Sequence, residues 1–220
     1  MSKWKHRTPR AVYLSGGGSG IGLGFAHALI AEGCSVAVFD LQMPGDTLAR
    51  LQQACKVKGQ SVHFYPADVT DPQAMDLAMA NAHAQQGAAD LAFNCAGMMR
   101  NAVFTDLPYE TFERVIRVNL LGSRNFAASA LKHLATQGHL VFMASLAGIV
   151  GSYTQSAYAA SKFGVVGLAE VLRAEQRLSG IDVSVVCPGE IQTPLLDYER
   201  QHGSDVTREL NSVAGVQIGR

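Results

Sequence analysis

Along this chain, short apolar runs alternate with stretches in which apolar positions recur every three or four residues. The runs at 11–14, 35–40, 61–65, 90–93, 139–144 and 182–186 predict strands. The helical stretches between them begin near Gly20, Pro44, Pro72, Pro108 and Ser156, and are expected to end near Ala31, Lys58, Gln86, Ala135 and Leu178. Asp71 before Pro72 has the acid-then-proline order of a helix cap and first turn. Strands that alternate with helices throughout mean parallel βαβ units with right-handed crossovers. The fold class expected is therefore α/β, an open, doubly wound, Rossmann-like parallel sheet with helices on both faces. No repeat, low-complexity tract or linker divides residues 1–220, which read as a single domain.

Composition narrows the setting. Hydrophobic residues make up 48% of the chain, charged residues only 16%, and mean hydropathy is +0.10. So much apolar material fits a large core and a surface partly hidden in a homo-oligomer, a dimer or a tetramer. Eighteen basic residues balance eighteen acidic ones, so no net field favours nucleic acid or an anionic membrane. Residues 1–10 are locally basic and read as a solvated tail, and no apolar run is long enough to span a membrane. Cys34, Cys55, Cys95 and Cys187 show no Cys-x-x-Cys spacing, and the histidines form no cluster, so no metal is expected. A reducing, cytoplasmic setting is the default.

Candidate chemistry begins at Tyr158 and Lys162, which share a helix face at i, i+4. Ionising a phenol of pKa ~10 at neutral pH costs about 4 kcal/mol. A cation ~4 Å away at an effective dielectric of ~20 supplies about as much, which would make Tyr158 a general base for an alcohol. Upstream, Ser15-Gly-Gly-Gly-Ser-Gly-Ile-Gly22 joins a strand to a helix; absent side chains there let backbone approach a pyrophosphate at a helix N-terminus. Asp40 ends the next strand, where a carboxylate can hold an adenosine ribose and repel a 2′-phosphate.

The spacing Gly16-x-x-x-Gly20-x-Gly22, the turn Asn94-Cys-Ala-Gly97, and Asn119, Ser145, Tyr158 and Lys162 in that order resemble the short-chain dehydrogenase/reductase family, branch Tyr-x-x-x-Lys. The resemblance runs from about Ala11 to Leu195. It implies Tyr158 as general base for oxidation and acid for reduction, with Lys162 lowering its pKa and binding the nicotinamide ribose. It further implies Ser145 polarising the substrate and Asn119 supporting a proton relay. Cofactor contacts are expected from Gly16, Ser19, Gly20, Ile21 and Gly22, from Asp40, and from Asp68 and Val69 beside adenine. Asn94, Ala96 and Gly97 keep the chain close to the cofactor, with Cys95 standing where the family has a second Asn. Pro188, Gly189, Ile191 and Thr193 would abut the nicotinamide.

Neither Ser19 nor Leu41 is the basic residue that NADP-preferring relatives carry, so NAD is expected over NADP. Substrate-lining candidates are Met98, Met99, Ser145, Leu146, Ile149, Val150, Tyr153, Leu195 and Leu196, an apolar set suited to a steroid, an acyl chain or another hydrophobic secondary alcohol or ketone. Two alternatives stay open: an NADPH-dependent carbonyl or 3-oxoacyl reductase, and a non-catalytic dinucleotide-binding module. Residues 194–220 read as a shortened substrate-loop region, too short for both the helix and the seventh strand of the family. The usual last strand is expected to be missing.

Overall fold

The computed structural model describes residues 8–202. Six parallel strands lie in the order β3-β2-β1-β4-β5-β6. They are β1 (Ala11–Ser15), β2 (Ser35–Asp40), β3 (Val62–Pro66), β4 (Ala89–Asn94), β5 (Leu134–Met143) and β6 (Asp182–Val186). Strand alternation sends Val12 and Leu14 to one face with Val36 and Val38, and Tyr13 to the other with Ala37 and Phe39. Helices α1 (Gly20–Ala31) and α2 (Thr47–Gln53) bury Ala26, Leu29, Ile30 and Leu51 on the first face. Helices α3 (Pro72–Gln86), α5 (Gly122–Ala130) and α6 (Ser156–Glu175) cover the second through Met75, Met79, Phe126, Val165 and Ala169. There Phe39 meets Tyr13 and Phe126 edge-on at 5.9 and 6.3 Å between ring centroids. The doubly wound α/β sheet is thus as the hydrophobic pattern predicts.

Several boundaries move. α2 is shorter than the predicted 44–58. Gly45 sits at φ +51, in the left-handed region, so the helix cannot begin before it. At the other end the N–H groups of Lys56 and Val57 donate to Gln60 Oε1, at 2.9 and 3.1 Å, in place of helical carbonyls. The predicted long helix from Pro108 is three pieces: α4 (Tyr109–Ile116), a π-helical turn (Arg117–Leu121) and α5, which stops at Ala130. A tight turn follows, with His133 N–H on Ala130 O, and β5 begins at Leu134, ahead of the predicted 139. α6 ends at Glu175, short of 178.

A final helix, α7 (Pro194–His202), was not expected. The missing seventh strand was an expectation about residues 194–220, of which 203–220 lie outside the described residues. Strand order reverses between β1 and β4, and at such a switch point an open sheet parts its loops beyond the strands' carboxyl ends.

Candidate active site

A cleft of about 690 Å³ opens at that edge. β1 delivers the glycine turn, β2 Asp40, β4 the Asn94–Gly97 turn, β5 Ser145 and β6 Pro188. Gly16 is at φ +67, and a Cβ there would lie 2.6 Å from Ala96 N; a Cβ on Gly22 would collide with the Gly16 carbonyl. These glycines let the β1 turn, the β4 turn and the start of α1 converge, leaving backbone at the cleft wall. The wall there takes in Gly16, Ser19, Gly20, Ile21 and Gly22, and at its far end Asp40, Asp68 and Val69. Asp40 Oδ2 accepts from Gly18 N–H at 2.9 Å and Oδ1 from its neighbour Leu41 N–H at 2.8 Å, which fixes the carboxylate at the rim. Backbone at a helix N-terminus and a carboxylate one strand away fit the pyrophosphate and ribose of a dinucleotide.

Beneath the wall runs a buried chain of polar side chains. Ser15 Oγ accepts from the N–H groups of Cys95 and Ala96 and donates to Asn94 Oδ1 at 2.7 Å. Asn94 Nδ2 donates to Ser123 Oγ at 2.6 Å, and Ser123 Oγ donates to Asn119 O. Asn119 Nδ2 donates to Met98 O and to Ser161 Oγ, both at 2.9 Å, while its Oδ1 accepts from Met98 N–H at 2.8 Å. Ser161 Oγ donates to the Tyr158 carbonyl at 2.7 Å. Asn94 and Asn119 are therefore buried supports under the cleft. Ala96 and Gly97 reach the wall itself.

Tyr158 and Lys162 both line the cleft from the first turns of α6. Lys162 is only 5% exposed; Nζ donates to Met143 O at 2.9 Å and lies 5.6 Å from the centre of the Tyr158 ring. Burial pushes its pKa down to about 8. The Tyr158 phenol is pushed up by burial, against which a hydrogen bond with Ser145 works. In the protein alone the phenol's shift is therefore upward, opposite to the charge argument from sequence: its desolvation outweighs the hydrogen bond with Ser145. Gly97 sits between Asn119 and Lys162, its Cβ position 3.3 Å from Asn119 Oδ1 and 3.6 Å from Nζ. A Cβ there would press on Asn119 and sit in ordinary contact with Lys162. Cys95, where the family has Asn, packs against the core, and burial pushes its thiol up to about 12.

Ser145 caps a single helical turn (Leu146–Gly148) by accepting from Ala147 N–H, and Leu146 N–H donates to Pro188 O at 2.8 Å. The β5 and β6 loops are thereby tied together, with Pro188, Gly189, Ile191 and Thr193 on the same wall. Of the expected substrate-side residues, Met98, Met99, Ser145, Leu146, Tyr153, Leu195 and Leu196 are all on the wall. Ile149 and Val150 are not; they are exposed outside it. α7 adds residues the sequence argument missed, Glu199 and Arg200, and the wall also takes in Asn101 and Gln155. Pro194 at a first-turn position, with Leu195 and Leu196 four and three residues before Glu199, was the available helix signal.

A family model described as short chain dehydrogenase matches residues 10–203. A D-beta-hydroxybutyrate dehydrogenase from Rhizobium meliloti (strain 1021) is 30% identical over 211 residues, spanning 93% of this chain and 82% of that protein. The 3-hydroxyacyl-CoA dehydrogenase type-2 of Homo sapiens is 32% identical over 197 residues, spanning 83% and 74%. A crystal structure of a dehydrogenase/reductase from Sinorhizobium meliloti 1021 superposes with a TM-score of 0.81 at 26% identity, covering 96% of this chain and 82% of that one.

Proposed function

Because this chain belongs to the short-chain dehydrogenase family and is an NAD(P)-dependent oxidoreductase acting on hydroxyl groups, we propose that it uses NAD, and that its substrate is a hydrophobic secondary alcohol or the matching ketone. The observation that carries this is the shared wall: Ser145, Tyr158 and Lys162 face the cleft whose other end is the glycine turn and Asp40. A nicotinamide bound there would accept or supply the hydride, and its positive charge when oxidised would favour a phenolate nearby.

The chain's own residues handle the oxygen and its proton. Ser145 Oγ holds the substrate oxygen beside the Tyr158 hydroxyl, so that in oxidation the phenolate takes the alcohol proton and in reduction the phenol returns one to the carbonyl. Lys162, desolvated and anchored on Met143 O, keeps a cation near the phenol and would hold a ribose hydroxyl of the cofactor. Asn119 fixes the backbone of Met98 and the start of α6, which holds Tyr158 in register with Ser145. Ala96 and Gly97 would line the cofactor's path with Asn94 supporting their turn from beneath, and Pro188, Gly189, Ile191 and Thr193 would hold the nicotinamide end. Positioning of this kind is the protein's main contribution to hydride transfer.

Tyr158→Phe is the decisive variant. Turnover, followed by reduced-nicotinamide absorbance with a panel of hydrophobic alcohols, should fall by about 10²–10⁴-fold, with NAD binding retained. Full activity in that variant would remove the mechanism. Residues 1–220 act as one catalytic domain in this proposal. It works in the cytoplasm, where its four free thiols stay reduced; no helix among the described residues is long and apolar enough to cross a membrane.

A further inference from the structure

The loop between β3 and α3, residues 67–70, lines the far end of the cleft through Ala67, Asp68 and Val69. Asp68 folds the loop on itself: Oδ1 accepts from Thr70 N–H at 2.8 Å and the Asp68 carbonyl from Asp71 N–H at 3.0 Å. Ala67 N–H donates to the Asp40 carbonyl at 2.9 Å, which ties the start of the loop to the strand end that carries the rim carboxylate. A further bond comes from the other side. Asn125, in α5 and 8% exposed, donates through Nδ2 to the Val69 carbonyl at 2.9 Å, from 56 positions away in sequence.

α5 is a firm base for that bond. Phe126, next to Asn125, is fully buried and meets Phe39 of β2 edge-on. Gly122, one turn before Asn125, lets the helix come close: a Cβ there would lie 2.7 Å from Val69 Cγ2. A helix seated on the core thus grips the loop at Val69 by close approach and by an amide. Neither Gly122 nor Asn125 is on the cleft wall, and Val69 is. Without the amide the Val69 carbonyl is buried and lacks this donor, a state relieved when the peptide turns out to water. That same peptide sets where Val69 stands on the wall. A ligand that needs the wall in place then binds only the fraction of molecules whose loop is seated, and its apparent affinity falls by that fraction.

Resting on the dinucleotide reading above, we infer that Asn125 is a positioning residue for the adenosine end of the cofactor: it holds the 67–70 loop as the seat of that end and has no part in the chemistry at Tyr158. It acts through Val69 and touches neither cofactor nor substrate.

The test separates the two ends of the cleft. ADP-ribose has the adenosine and pyrophosphate of NAD without the nicotinamide, so its calorimetric affinity reads the far end without turnover. In Asn125→Ala that affinity should fall at least about tenfold, the mark of a loop seated a tenth of the time or less. The KM for NAD should rise with it. At saturating NAD, kcat should not fall by more than about threefold, because the bound cofactor meets an unchanged Ser145, Tyr158 and Lys162. A smaller fall in ADP-ribose affinity in the folded variant overturns the inference and leaves the oxidoreductase assignment standing. A kcat that falls as far as the affinity also overturns it, since a general loss of structure does that. If Asn125→Ala does not fold, Asn125→Leu, of similar shape and without the amide, is held to the same criteria. An unaltered protein that binds neither ADP-ribose nor NAD overturns the inference together with the dinucleotide reading. If it binds both but turns over no alcohol, the reaction assignment fails and the ADP-ribose comparison still decides the role of Asn125.

Discussion

Asp40 shows how much one residue can decide. Its carboxylate is held at the rim by Gly18 N–H and Leu41 N–H, and the side chain after it, Leu41, is 68% exposed and uncharged. A 2′-phosphate brought there would face a fixed anion, and among the described residues of the wall at that end there is no cation to offset it. Asp40→Ser should therefore narrow the preference for NAD over NADP by about tenfold or more, measured as kcat/KM for the two cofactors; an unchanged preference would show that Asp40 does not read the ribose. The position of this carboxylate was legible in the sequence because an acid closing the second strand is a local pattern. Tyr158 was legible in position and not in electrostatics: spacing shows the ammonium one turn away, whereas the burial that pushes the phenol up exists only once α6 packs on the sheet. The ion pair between Arg100 and Glu199 of α7 was not legible at all. Its members are 99 positions apart, and no local pattern links one to the other.

Among the elements, those placed by hydrophobic alternation and by a capping acid were legible. Asp71 Oδ1 accepts from Gln73 N–H and Ala74 N–H, at 2.9 and 3.1 Å, as an N-cap should. Where side chains rewire the backbone, the pattern fails. Gln60 ends α2 early, and the π-helical turn at Arg117–Leu121 leaves the apolar period almost unbroken while turning Asn119 onto the Met98 backbone. β5 carries a titration of its own. His139 hydrogen-bonds Ser184 of β6 at 2.9 Å through Nε2, and burial lowers its pKa, with Asp182 opposing. A histidine kept neutral by the fold binds its proton more readily when unfolded. Its contribution to stability is therefore complete above the unfolded value of ~6.5 and is lost as pH falls through the lower folded value. Melting temperature should drop between pH 7 and pH 5, and His139→Gln, which does not titrate, should flatten part of that drop; an identical profile would exclude His139 as a contributor.

For the whole molecule, apolar residues left in the open matter most. Tyr109, Leu121, Phe163 and Val171, on α4, the π-helical turn and α6, are all exposed. Such a set is what a subunit interface would cover. We propose self-association through these helices, at least as a dimer, and light scattering at micromolar concentration should give at least twice the chain's mass of 23.4 kDa. A monomer there would refute it.

The hydroxyl and amide chain from Ser15 through Asn94, Ser123, Asn119 and Ser161 to the Tyr158 carbonyl has one further implication, for recombination. Each serine in it has a single proton to give, so the direction of the chain is fixed and its members are matched like teeth in a zip. A chimera that takes its first half from a relative and its second from this protein, joined between β4 and α5, would pair a foreign residue 94 with Ser123. Unless that residue offers an N–H, the join leaves a buried oxygen bare, at a cost of about 1–3 kcal/mol. Junctions placed after Ser161 keep the set together, and such chimeras should melt higher than those cut inside it.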